Sequence, residues 1–67
     1  MKISQEAITT IRRIIKEMHD GFYPPDGICI ACGEEAEGVE PDARRYTCEI
    51  CGEDTVYGFE EILTRDW

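Results

Sequence analysis

The apolar positions of the first third of the chain recur with a helical period. At roughly 100° per residue, Ala7, Ile8, Ile11, Ile14, Ile15 and Met18 fall within a stripe about 120° wide. Ser4 is placed to cap the N-terminus, and Ile3 and Ile8 are spaced as a hydrophobic staple. Gly21 suits the position just past a helix end, and Pro24-Pro25 forbids continuation. The pattern predicts one amphipathic helix over 3–21. Its stripe either packs on the rest of the chain or, through Ile8, Ile11, Ile15 and Met18, forms the seam of a homodimer. Arg12, Lys16 and His19 line one flank and Glu6 and Glu17 the other, which reads as a solvated helix edge. His19 beside Asp20 at the helix end reads as a capping cation rather than a metal ligand or a base.

After Gly21 the period changes. Residues 22–27 form a proline-stiffened linker that ends in an Asp26-Gly27 turn, and Phe22 and Tyr23 are expected to plug the gap between the helix and the ribbon. A first strand is expected over 34–40, a hairpin turn at Pro41-Asp42, and a returning strand over 44–47. In that hairpin Arg44 and Arg45 would face the glutamate-rich strand as cross-strand ion pairs. Residues 55–57 are rich in β-formers and give a third strand. Gly58 breaks it, and the spacing of Phe59, Ile62 and Leu63 favours a closing helix over a continued strand. Trp67 is either loosely packed or a contact residue. The expected fold is α+β: an N-terminal amphipathic helix (1–21), the linker (22–27) and a three-stranded antiparallel ribbon (28–67), making one compact unit.

Between these elements lies the chain's most specific chemistry, Cys29-Ile-Ala-Cys32-Gly33 and Cys48-Glu-Ile-Cys51-Gly52, with 15 residues from Gly33 to Thr47 between the units. Two residues between cysteines let a tight turn aim both thiolates at one ion, and a following glycine can take φ > 0 where the chain folds back. Paired Cys-x-x-Cys units at this separation have zinc-site spacing. Disulfides would need an oxidising compartment, and no secretory pattern opens the chain. A redox Cys-x-x-Cys would want a βαβ context.

Residues 28–63, and above all Tyr46-Thr-Cys-Glu-Ile-Cys-Gly-Glu53, resemble the zinc-ribbon (rubredoxin-like) group, in which each Cys-x-x-Cys-Gly knuckle caps a β-hairpin. The chain as a whole is similar to small zinc-ribbon proteins of bacteria and phages. The resemblance implies that Cys29, Cys32, Cys48 and Cys51 are the ligands of one structural Zn²⁺ per chain. Iron in the same site would instead imply a rubredoxin-like electron carrier. In rubredoxins a Gly-Tyr segment usually follows the first knuckle, whereas Glu34-Glu35 follows Gly33 here.

Charge narrows the function. The 67 residues carry a formal −8. Residues 1–25 hold four bases and three acids, giving +1, while residues 26–67 hold twelve acids against Arg44, Arg45 and Arg65, giving −9. Four thiolates and a divalent ion would add −2, for roughly −10 in all. Nucleic-acid affinity depends on Lys and Arg contacts to phosphate, so nucleic acid is a disfavoured partner. No apolar run approaches the roughly 20 residues of a membrane span. A Cys₄ zinc leaves no open coordination position, and the chain has one histidine and no glycine-rich phosphate loop, so an enzyme is not expected. The leading expectation is a cytoplasmic, zinc-stabilised protein-interaction module, a regulator, adaptor or inhibitor whose partner has a basic surface, with a phage-type inhibitor as its sharpest form. The helix followed by Cys-x-x-Cys-Gly and Pro41-Asp-Ala-Arg-Arg45 is also loosely similar to the DksA/TraR regulators of RNA polymerase, which implies an alternative as a transcription regulator.

Overall fold

The computed structural model describes residues 3–64, so the expectation for Trp67 lies outside the described residues. Helix α1 (Gln5–His19) begins where Ser4, in extended conformation, accepts a hydrogen bond from the Ala7 amide at 3.1 Å. It ends in a Schellman motif. Gly21 takes φ 95° and donates to the Met18 carbonyl at 3.0 Å, and Phe22 donates to the Glu17 carbonyl at 3.1 Å. Both predicted caps are in place.

The remainder is a four-stranded antiparallel sheet and a short helix, so the fold is α+β with one strand more than the three expected. The strands are β1 (Gly27–Cys29), β2 (Glu35–Ala36), β3 (Tyr46–Thr47) and β4 (Asp54–Gly58), in spatial order β2-β1-β4-β3, and α2 (Phe59–Thr64) is the last element among the described residues. β1 takes up Gly27, the last residue of the predicted linker. Two hairpins make the sheet. β1 turns into β2 through the first cysteine pair, and β3 turns into β4 through the second. They are joined by β1–β4 pairing, Gly27 opposite Gly58, Ile28 opposite Tyr57 and Cys29 opposite Val56.

The predicted hairpin between 34–40 and 44–47 does not form; β2 and β3 lie on opposite edges of the sheet. The turn at Pro41-Asp42 exists, closed by Ala43 donating to the Glu40 carbonyl at 3.0 Å, but it crosses the end of β4 rather than joining paired strands. Gly58 donates to the Ala43 carbonyl at 2.9 Å, and a Cβ on Gly58 would strike the Glu40 and Pro41 carbonyls. Arg45, at φ 57°, then takes the chain out of extended conformation, so only Tyr46 and Thr47 remain of the predicted strand. The expected Arg–Glu ladder is absent for the same reason. Arg44 reaches Glu61 on α2 at 2.9 Å, and Glu35 is bound by Arg13 of α1 at 2.6 Å.

Side-chain alternation divides the sheet into two faces. Ile28 and Tyr57, paired across β1 and β4, join Ile14, Ile30, Phe59 and Ile62 in a core flanked by Ile3 and Ile11. Cys29 and Val56, the next pair along, point the other way and pack with Cys48 against Cys32, Ala36 and Val39. Thus α1 and α2 cover one face and the cysteines occupy the other. α1 is seated along its stripe as far as Ile14. Ala7 and Ile14 are buried, Ile8 and Ile11 are partly covered, and Ile15 and Met18 remain about two-fifths exposed, at 41% and 38%. Phe22 and Tyr23 do not plug a gap: they are 66% and 97% exposed, because the Schellman turn carries the chain away from the sheet. The closing segment is helical, with Phe59 and Ile62 turned into the core and Leu63 half exposed.

Candidate metal centre

Each knuckle is a turn drawn tight by its own backbone. Gly33 donates to the Cys29 carbonyl at 2.9 Å, and Cys29 donates to the Glu34 carbonyl at 2.9 Å. In the second knuckle Gly52 donates to the Cys48 carbonyl at 2.9 Å, and Cys48 donates to the Glu53 carbonyl at 2.8 Å. Gly33 and Gly52 take φ 81° and 78°, the left-handed conformation that a glycine adopts without Cβ strain. The repeated Cys-x-x-Cys-Gly sequence therefore yields one turn twice.

Pairing of β1 with β4 brings the two turns together. The sulfurs of Cys29, Cys32, Cys48 and Cys51 all lie within 4.8 Å of one another. Cys29 Sγ is 3.7 Å from Cys51 Sγ, and Cys32 Sγ is 3.6 Å from Cys48 Sγ. A tetrahedron with metal–sulfur bonds of about 2.3 Å has edges of roughly 3.8 Å, so these separations fit four thiolates around one ion. None of the four cysteines is in a disulfide, and together they are the group among the described residues that could hold a metal ion. His19 is exposed in the last turn of α1 and is not part of it.

Hydrogen bonds surround the sulfurs. The Cys32 amide points at Cys29 Sγ at 3.4 Å, and the Ile50 and Cys51 amides point at Cys48 Sγ at 3.4 and 3.5 Å. The Thr55 hydroxyl lies 3.0 Å from Cys29 Sγ. Burial pushes the Cys29 thiol up, but donation from Thr55 and from the Cys32 and Ala31 amides outweighs it and brings Cys29 down to about 6. Burial, together with the neighbouring sulfurs of Cys29, Cys48 and Cys51, drives Cys32 the other way, to about 12, against the Glu34 amide. Cys51 is also raised: the Glu53 amide lowers it, but burial and the sulfurs of Cys29 and Cys48 prevail. Crowded sulfurs that cannot all ionise alone are the situation a dication relieves.

Thr55 and Thr10 are the contributors that sequence reasoning missed. Thr55 reads only as a β-former, and its hydroxyl reaches a sulfur through long-range β1–β4 pairing. The Thr10 hydroxyl, on the helix face beside the stripe, donates to the Gly33 carbonyl at 2.8 Å and ties α1 to the first knuckle. A threonine just beside an apolar helical stripe was the available signal. Set against known protein families, curated proteins and solved structures, the chain matches none, so the assignment of this centre stands on its own four sulfurs and their surroundings.

Proposed function

We propose that the chain is a zinc-ribbon protein whose single Zn²⁺ is structural, and that it works as an acidic protein-interaction module, a regulator, adaptor or inhibitor of a partner with a basic surface. The observation that carries this reading is the closed set of four sulfurs in a chain whose residues 26–67 hold −9. Zinc suits four thiolates in a site that does no chemistry, because all coordination positions are filled. A centre so filled supplies stability, and the exposed carboxylates supply long-range steering toward a positive surface. Phage-type inhibition is the sharpest form of the reading, since a small, strongly negative body suits occlusion of a basic site.

Native mass spectrometry of the purified protein reads the metal and the oligomeric state together. One zinc per chain is expected, and the half-exposed Ile15 and Met18 make a dimer the state to look for alongside the monomer. Immobilised zinc-loaded protein should capture a basic partner that is released as salt rises from about 20 to about 150 mM, where screening shortens to about 8 Å. Bound iron, or capture of nucleic acid instead of protein, would contradict the reading. Iron in the same thiolates would point to electron transfer, and its colour would announce it.

A further inference from the structure

The cysteine-bearing face of the sheet is only partly filled by the metal centre. Beside it runs a groove of about 480 Å³ between the segment that carries β2 and the hairpin of β3 and the second knuckle. Val39 and Val56 line its base, and Tyr46 and Ile50 stand at its side, 40% and 69% exposed. Its rim is acidic. Glu35 is held by Arg13, but Glu34, Glu37 and Glu49 are in no ion pair among the described residues, and neither lysine nor arginine lines the groove.

We propose that this groove is the partner-binding surface, and that its occupant is a short segment of another protein carrying one bulky apolar side chain flanked by lysines or arginines. This rests on the reading of the chain as an acidic interaction module and says where and how it binds. The volume lies within the range of ligand-binding clefts. An apolar side chain entering it would cover Val39, Val56, Tyr46 and Ile50, while flanking cations meet Glu34, Glu37 and Glu49. The combination selects against purely apolar segments, which leave the carboxylates without partners, and against acidic ones, which the rim repels. Ile50 owes its position to the second knuckle, so the metal centre holds one wall of the groove.

The test uses zinc-loaded protein and two synthetic peptides of equal charge. One has a tryptophan between pairs of lysines, and its twin has glycine in place of the tryptophan. The tryptophan peptide should bind roughly tenfold tighter. Amide chemical shifts should move at Val39, Tyr46, Glu49 and Ile50. Ile50→Ser should abolish most of the difference between the peptides, and Glu37→Gln/Glu49→Gln should weaken both. All three positions are solvent-exposed, and retained zinc stoichiometry and shift dispersion report that each variant is folded. Equal binding of the two peptides, or shifts confined to other acidic surface, would overturn the groove while leaving the acidic-module reading intact. Failure of both peptides to bind at low salt would overturn the two together.

Discussion

The two cysteine knuckles have the same backbone hydrogen bonds and opposite surroundings. In the first, the second residue of the turn is Ile30, 1% exposed and packed in the core. Its carbonyl accepts from the Ser4 amide at 2.9 Å, and α1 lies so close over the turn that a Cβ on Gly33 would come within 2.8 Å of the Glu6 carbonyl. In the second knuckle the same position is Glu49, the isoleucine has moved one place to Ile50, and nothing lies within 4 Å of a Cβ on Gly52. Cys51 is exposed where its counterpart Cys32 is half-buried, while the first cysteines, Cys29 and Cys48, are both buried. One turn is thus a foundation on which the helix sits, and the other is a surface feature. The placement of one isoleucine within each turn accompanies that difference: apolar at the second position meets the core, apolar at the third meets solvent.

Both turns contribute sulfurs to one centre, so the largest effect cannot distinguish them. Eleven hydrophobic residues are buried among those described, and two of them are Cys29 and Cys48 of the sulfur cluster, so the apolar core alone is small. Structural zinc contributes about 10–16 kcal/mol of apparent binding free energy in small metal-folded peptides. Chelation is therefore expected to abolish the folded far-UV circular dichroism and amide dispersion of both hairpins at once, and re-adding zinc to restore them.

Core substitutions should separate the turns. Ile30→Ala is expected to lower stability by about 2–5 kcal/mol in a denaturant titration of the zinc-loaded protein, whereas Ile50→Ala should stay within about 0.5 kcal/mol. The glycines repeat the contrast. Gly33→Ala combines left-handed strain with a collision against the helix backbone, so it should cost more than the roughly 1–2 kcal/mol of strain alone expected for Gly52→Ala. Equal losses at the two glycines would mean that α1 does not rest on the first knuckle.

A smaller effect concerns the sulfur environment. The Thr55 hydroxyl favours the Cys29 thiolate, and Cys29 is lowered from 9.0 to about 6. A lowered thiol contributes its stabilisation fully above 9.0 and loses it as pH falls through about 6. Without the hydroxyl, Cys29 holds its proton to higher pH. Thr55→Val should accordingly weaken zinc binding by about 10–100-fold, the usual effect of losing a group that orients a ligand. It should also move acid-induced zinc release, followed with a metal indicator dye, to higher pH. The smallest effect is expected at the helix cap, where Ser4→Ala should cost about 1 kcal/mol.

The features legible in the sequence were local and periodic. The extent of α1 follows from the isoleucine spacing together with Ser4 and Gly21, α2 follows from Phe59 and Ile62, and the convergence of four sulfurs follows from a repeated motif. Pairing between short strands was not legible. β2 and β3 are two residues each and carry no period, so their partners are set by the knuckle hydrogen bonds and by β1–β4 pairing. The turn signal Pro41-Asp42 between residues 34–40 and 44–47 suggested a hairpin with Arg–Glu pairs across it, yet Glu35 and Arg44 each found a partner on a helix instead. Phe22 and Tyr23 misled for a similar reason: hydrophobicity says that a side chain would gain from burial, not that the chain direction after a Schellman turn permits it. Thr55 became legible only once β4 lay beside β1.

The central claim is that Cys29, Cys32, Cys48 and Cys51 close one four-sulfur centre on the open face of the sheet. Zinc-edge X-ray absorption of the purified protein tests it most directly. The expected result is a single shell of four sulfurs at about 2.3 Å. A shell containing nitrogen or oxygen, or zinc bound by fewer than four sulfurs, would contradict it.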